Sequence, residues 1–253
     1  HAIYAFDFLP FDVYHFDSGM DFFQDSSFPT NVTKQGKTIV CHYPGEDLRT
    51  RGAMPELAAI SDLNLTSELD LLEKHPDIHY LFLPFDTGSF TPKHKLNNPI
   101  RVCHAPTNRY YKGSSVIIAI CKKLENEGII VFDLIENLPH QEALTRKLDA
   151  DIFIDQIGDK GGWGYGMNSV ESLSMGICTL TMLNETYQNF IPDHPFVNVD
   201  ETNLELKLRL LINNPDQIKS YGNKGKEWVM QKHHYVNVGK KLYEYYKKVG
   251  IVK

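Results

Sequence analysis

No apolar run in the sequence approaches the roughly 20 residues that a membrane-spanning helix needs. The stretch Val116-Ile117-Ile118-Ala119-Ile120-Cys121 is too short and is bounded by lysines. No positively charged leader with an apolar segment and a small-residue cleavage site is visible. Positive charge is not in excess either: the net charge is −6, which argues against a nucleic-acid-binding surface. Cysteine is sparse. Cys41, Cys103, Cys121 and Cys178 are the four present, without paired metal-ligand spacing, so they read as buried thiols of a reducing cytoplasm. The nucleophile elbow Gly-x-Ser-x-Gly and the phosphate loop ending in Gly-Lys-Ser/Thr are both missing. So are internal repeats and low-complexity tracts. His233-His234 has no companion ligands at useful spacing, and adjacent helical residues point apart, so no metal site is expected.

What is present is ordinary globular composition. The chain has 253 residues, 42% hydrophobic and 23% charged, enough for one large domain or two small ones. Asn31, Asn64 and Asn184 begin glycosylation-type tripeptides, which carry no weight without a secretion signal. The chain opens on His1, inside an aromatic run with Ile3, Tyr4, Phe6 and Phe8, and reads as though it begins in mid-domain.

Short apolar strand patterns alternate with helical ones along the sequence. Strands are expected around Phe11–Phe16, Lys37–Tyr43, Leu63–Thr66 and Tyr80–Pro84, with short helices at Pro55–Ala59 and Glu68–Lys74. A polar stretch from Thr87 to Asn98, with Pro92, Lys93, His94 and Lys95, reads as the domain boundary, giving domains 1–95 and 96–253. The second half alternates more regularly. Strands are expected at Ile100–Ala105, Ile129–Leu134, Asp151–Ile157, Ile177–Leu183 and Phe196–Val199. Helices are expected at about Ser114–Glu127, Gln141–Leu148, the segment before Gly176, Glu201–Ile212, Pro215–Lys232 and Asn237–Val249. This spacing predicts a parallel sheet covered on both faces, an α/β class.

The most distinctive stretch runs from Gly161 through Trp163, Gly164, Tyr165, Gly166, Met167 and Asn168 into a short helix that ends at Gly176. A glycine-rich loop between a strand and a helix N-terminus suits anions, because free backbone N–H groups and the helix dipole point the same way. Glu171, one turn into that helix, can accept hydrogen bonds from sugar hydroxyls. A plain glycine-rich connection with a surface glutamate fits this stretch equally well. Lys112 and Arg109 lie in the loop before another helix, where two cations match a diphosphate; a solvated loop is the simpler reading of that loop alone. His42, Gly45 and Asp47 close a strand in the first half. There a histidine can donate to a hydroxyl or phosphate, or be satisfied within the fold. His104 carries the same ambiguity.

Taken together, these segments resemble the family 4 glycosyltransferases, retaining enzymes of the GT-B fold. Phe11-Asp12-Val13-Tyr14-His15-Phe16 resembles a first-domain strand of that family. His42 to Asp47 resembles its His-x-x-Gly-x-Asp strand end. Leu83-Pro84-Phe85-Asp86 with Phe90-Thr91-Pro92 resembles the segment before the linker. His104-Ala105-Pro106-Thr107-Asn108 with Lys112-Gly113 resembles the phosphate-binding loop, and Gly164-Tyr165-Gly166 with Glu171 and Gly176 the donor loop. Each is weak alone; their order and separation make them jointly specific.

The resemblance implies two Rossmann-like domains facing a cleft, the N-terminal one incomplete because the family's opening strand and glycine loop are not found after His1. It implies a nucleotide-sugar donor as substrate, no cofactor and no metal, and an acceptor that the sequence does not name. By carry-over, Lys112, Arg109 and His42 are the catalytic candidates. Tyr165, Gly166, Met167, Asn168 and Glu171 would bind the donor, and Gly45 and Asp47 lie on the acceptor side. Developing charge would be met by cations and backbone amides. Two departures stand out: Trp163 occupies the place of the family's earlier glutamate, and Thr107 that of its usual arginine. A nucleotide- or glycan-binding relative without turnover, and a nucleotide-sugar epimerase, are the competing readings. The basic final helix, with Lys240, Lys241, Lys247 and Lys248 beside Tyr243, Tyr245 and Tyr246, fits either a peripheral contact with an anionic membrane or a helix packed through its tyrosines.

Overall fold

The computed structural model describes residues 11–21, 23, 25–93 and 95–252. The opening aromatic run and His94 lie outside the described residues. Contacts divide the chain into two compact units: residues 1–83 with 238–253, and residues 84–237.

In the first unit, β1 (Val13–Asp17), β2 (Thr38–Tyr43), β3 (Leu63–Thr66) and β4 (Ile78–Tyr80) form a parallel sheet in that order. Tyr14 lies opposite Ile39 and Val40 opposite Leu63. β2 is central and buried on both faces, so its sequence is apolar at consecutive positions. Its alternate residues separate cleanly. Ile39, Cys41 and Tyr43 join a core with Phe16, Phe28 and Leu57, while Val40 packs with Leu65, Leu81 and Val238. A short helix, α1 (Ser27–Thr33), precedes β2, and α2 (Pro55–Ala58) precedes β3. The short helix expected after β3 is a 3-10 helix, Leu69–Glu73, and Thr66 Oγ1 accepts the Glu68 amide at its start.

In the second unit the strands are β5 (Ile100–His104), β6 (Ile130–Leu134), β7 (Ile152–Ile154), β8 (Cys178–Thr181) and β9 (Val197–Asn198). They run parallel in the order β6-β5-β7-β8-β9. The helices are α3 (Arg109–Lys112), α4 (Ser114–Asn126), α5 (His140–Leu148), α6 (Met167–Ser174), α7 (Glu185–Phe190), α8 (Leu204–Ile212) and α9 (Pro215–Lys232). Both sheet faces are covered. Val102, Ile152, Ile154 and Leu180 pack with Ile117 of α4 and Leu208 of α8. Their neighbours Cys103 and Phe153 pack with Leu144 of α5 and Met175. This is the doubly wound α/β arrangement that the alternation of patterns predicted.

The final helix, α10 (Tyr235–Lys248), joins the first unit from Val238 onward. There Tyr245 donates its hydroxyl to Tyr80 O at 2.9 Å and stacks on His79, and Tyr246 meets His15. Tyr243 stays exposed. Among the described residues no helix is long and apolar enough to cross a membrane. All four cysteines are free and buried. Burial pushes the Cys41 thiol up to about 11 and the Cys121 thiol up to about 12, which leaves them unreactive near neutrality.

Candidate functional site

The strand order fixes where a ligand belongs in the second unit. After β5 the chain crosses to β6 on one side, and after β6 it returns to β7 on the other side of β5. The connections leaving β5 and β7 therefore part at the carboxyl edge and open a crevice there, the usual ligand site of open parallel sheets. The loops holding Lys112 and the glycine-rich stretch are these two connections.

The first opens at Ala105. Asn108 caps α3 with its side chain, accepting the Tyr110 and Tyr111 amides, so the expected loop is one helical turn that carries Arg109 and Lys112. Gly113 then turns the chain into α4 with φ +66°. A Cβ there would stand 2.3 Å from Ile157 O, so only glycine fits. Lys112 Nζ donates to Asp155 Oδ1 at 2.6 Å and Gln156 Oε1 at 3.0 Å, joining the two connections. Asp155 is buried, and its other oxygen accepts Ser169 Oγ at 2.6 Å and the Gly166 amide. Burial opposes its charge, but Lys112, Ser169 and Gly166 together hold the carboxyl below its usual range.

His104, at the end of β5, is fully buried between Ile154 O and Ser114 Oγ, each at 2.8 Å. Burial pulls it down to about 4, so it is neutral near pH 7, with Nδ1–H donating to the carbonyl and Nε2 accepting from Ser114. It pins β5, β7 and α4 together. Of its two readings from sequence, the structure selects the histidine satisfied within the fold.

The crevice contains a cleft of about 400 Å³ lined by Pro106, Thr107, Glu136, Asn137, His140, Lys147, Met167, Asn168 and Glu171 among others. Glu171 forms part of its wall. Its Oε2 accepts Lys147 Nζ at 2.5 Å and its Oε1 faces His140 Nε2 at 2.8 Å. Lys147 Nζ also donates to Asn168 Oδ1 at 2.8 Å, and Asn168 Nδ2 donates to Ala105 O at 3.1 Å. On the opposite wall Arg109 grips Glu136 with two hydrogen bonds. The side chain of Arg109 is 60% exposed, and its bond holds the Glu136 carboxyl below the usual range.

Met167, Asn168 and Glu171 therefore share the cleft, and Arg109 reaches it through Glu136. Lys112, Tyr165 and Gly166 are not among its lining residues. Tyr165 is buried among Tyr187, Phe196 and Trp228 and bonds His233 Nε2 through its hydroxyl at 2.9 Å, which anchors the glycine loop. Gly164 lies against the Tyr187 ring with φ +77°, where a Cβ would be 2.4 Å away. His42, Gly45 and Asp47 belong to the first unit. There His42 Nε2 lies 3.2 Å from Ser67 Oγ, and Asp47 accepts the Gly45 amide at 2.8 Å.

Sequence reading missed Lys147, His140, Glu136 and Asp155. Lys147 left a signal: it sits on the buried stripe of α5 with Leu144, where a lysine is out of place. Among the described residues no group of three or more His, Cys, Asp or Glu side chains is arranged to hold a metal ion.

Comparison with solved structures gives the fold. Sucrose-phosphate synthase from Thermosynechococcus elongatus superposes with a TM-score of 0.66 at 10% identity, over 96% of this chain and 75% of that one. The chain has the GT-B fold. HepE of Anabaena, solved in complex with UDP and glucose, gives 0.64 at 8% identity, covering 94% of this chain and 78% of its own. An alpha-glucosyltransferase in complex with UDP and a 13-mer DNA gives 0.64 at 11% identity, covering 92% and 80%. No protein-family model and no curated protein matches the sequence. The likeness thus lies in the backbone arrangement, two parallel α/β sheets in this order, and the second sheet of this GT-B chain carries the cleft described above.

Proposed function

We propose that this chain is a glycosyltransferase that moves a hexose from a nucleotide-sugar donor to an acceptor with retention. The observation that carries the reading is the cleft at the switch point of the second unit. A carboxylate, Glu171, stands in one wall of a crevice bordered by the loop that carries a lysine, Lys112. In this reading Glu171 accepts the ribose hydroxyls. Lys112, with two of its three N–H donors engaged by Asp155 and Gln156, offers the third to the diphosphate and stabilises the leaving group. The amides from Gly166 to Asn168, at the start of α6, add donors to the same charge. The two acids that line the cleft are both matched by cations, Glu136 by Arg109 and Glu171 by Lys147, so an anionic ligand is not repelled. His42, Gly45 and Asp47 serve the acceptor side. No resident cofactor or metal enters this scheme; cations and amides meet the charge. The uridine diphosphate bound by two of the structurally similar enzymes makes UDP-sugars the first donors to try.

A second reading, nucleotide or glycan binding without turnover, is favoured by Trp163, which stands where the family pattern carries a donor-sugar carboxylate. Calorimetric titration of UDP-, GDP- and ADP-sugars, followed by an assay for sugar transfer, decides between them. Binding with transfer is expected, and Glu171→Gln should weaken binding on the order of tenfold, the worth of hydrogen bonds to a charged group. Binding without transfer supports the second reading. If no nucleotide-sugar binds, the donor-site assignment is wrong.

A further inference from the structure

Lys147 is 2% exposed, and its ammonium is held by Glu171 Oε2 and Asn168 Oδ1 while lying 5.0 Å from the centre of the Phe153 ring. A buried ion pair is a poor way to stabilise a core, because an apolar side chain of similar volume is usually as good or better. Core stability alone therefore gives little reason for a lysine at this inward position of α5. Its hydrogen bonds do. Both acceptors lie on one face of α6, at i and i+3, and both line the cleft. Asn168 is locked at both ends, because its oxygen takes Lys147 and its nitrogen gives to Ala105 O. A carboxylate offers about four acceptor positions. Lys147 occupies one on Oε2 and His140 one on Oε1, which leaves an acceptor position on each oxygen, side by side.

We propose that Lys147 is a positioning residue that holds Glu171 as a fixed two-point acceptor for a vicinal cis-diol, the ribose of a nucleoside diphosphate donor. This rests on the donor reading above and adds its sugar selectivity. Two neighbouring hydroxyls can each donate to one carboxylate oxygen only while the carboxylate keeps its orientation. Without Lys147 the Glu171 side chain is free to turn. The lysine also cancels the acid's charge inside a cleft that must admit a diphosphate.

The test compares UDP with 2′-deoxy-UDP by calorimetry on the wild type and on Lys147→Met, which keeps the aliphatic volume. The wild type is expected to prefer UDP about tenfold, the worth of one hydrogen bond to a charged group. In Lys147→Met that preference should fall toward one: both diphosphates lose the charge match, and UDP affinity falls about tenfold further than 2′-deoxy-UDP affinity. A change in folding alone would lower both ligands by the same factor, leaving the preference intact, and would overturn the proposal. A wild type that binds UDP and 2′-deoxy-UDP equally, or binds neither, sinks the ribose contact and this inference with it. A wild type that discriminates, beside a Lys147→Met that discriminates equally well, sinks the inference alone. If Lys147→Met does not fold, the double variant Lys147→Met/Glu171→Gln, which buries no unmatched charge, is compared with Glu171→Gln. Equal UDP affinity supports action through Glu171, and a further tenfold loss in the double variant overturns it.

Discussion

Two buried lysine–carboxylate pairs meet the first turns of α6, and they are built in opposite senses. In Lys112–Asp155 the acid is the floor: Asp155 is 1% exposed, tied to Ser169 and Gly166, and the lysine above it is 15% exposed. In Lys147–Glu171 the lysine is the deeper group, at 2% exposure against 6% for the acid, and both line the cleft. The same chemistry thus presents a cation at one place and an acceptor at the other, with little net charge at either. A ligand with an anionic part and a hydroxyl-bearing part is what such a surface suits. The comparison also shows why a lone charged residue in a sequence does not reveal its role: each working group is set by a partner on another element.

Breaking one member of the Lys147–Glu171 pair should have the largest effect. Glu171→Gln leaves the Lys147 ammonium buried without its carboxylate, and the expected cost is about 3–5 kcal/mol. Lys147→Met/Glu171→Gln should recover most of it. Urea denaturation of the single and double variants measures this, and additive losses would show that the two side chains are not coupled.

Acid should act next, through His104 beside the Lys112–Asp155 pair. Its folded value of about 4 lies below the ordinary value near 6.5. Between these values the unfolded chain binds the proton and the folded chain does not. Stability therefore falls as pH drops from about 6.5 to about 4, and is unaffected by this group above that window. The loss is on the order of 3 kcal/mol at the acid end. His104→Gln should flatten the slope in denaturation curves taken across the window; an unchanged slope would remove His104 as its source. The depressed Asp155 carboxyl adds a loss at lower pH, as that group is protonated through its folded value.

The smallest change is expected from Arg109→Ala. Its pair with Glu136 is bidentate but largely exposed on the arginine side, where solvent screening leaves such a pair little to contribute. A melting temperature within a few degrees of wild type is expected. A loss comparable to that of Glu171→Gln would mean that the outer wall of the cleft is as tightly built as the inner one.

Much of the scaffold was legible in the sequence because strands buried on both faces are written as short apolar runs. Ile39-Val40-Cys41 and Ile152-Phe153-Ile154 are plain examples, and Pro215–Lys232 was read to its ends from proline at the start and helical periodicity after it. Two short helices, α1 and α7, were not legible. α1 contains Pro29 within an aromatic stretch, and α7 begins at a tripeptide that resembles a glycosylation signal, although Asn184 there caps the helix by accepting the Tyr187 amide. Tertiary packing, not propensity, holds helices of that length.

The site divides in the same way. Glycine spacing, Lys112, Asn168 and Glu171 could be read from the chain, because a close backbone approach and a loop before a helix leave local marks. Sequence alone determined the α/β alternation, the parallel sheet of the second half and the loops that would carry charge. Only the tertiary structure decided which charges meet. Lys147 lies on α5 and Glu171 on α6, Asp155 ends β7 and Lys112 ends α3, and Arg109 bonds Glu136 in the connection after β6. Burial makes those partnerships matter, and burial is set by how the helices cover the sheet.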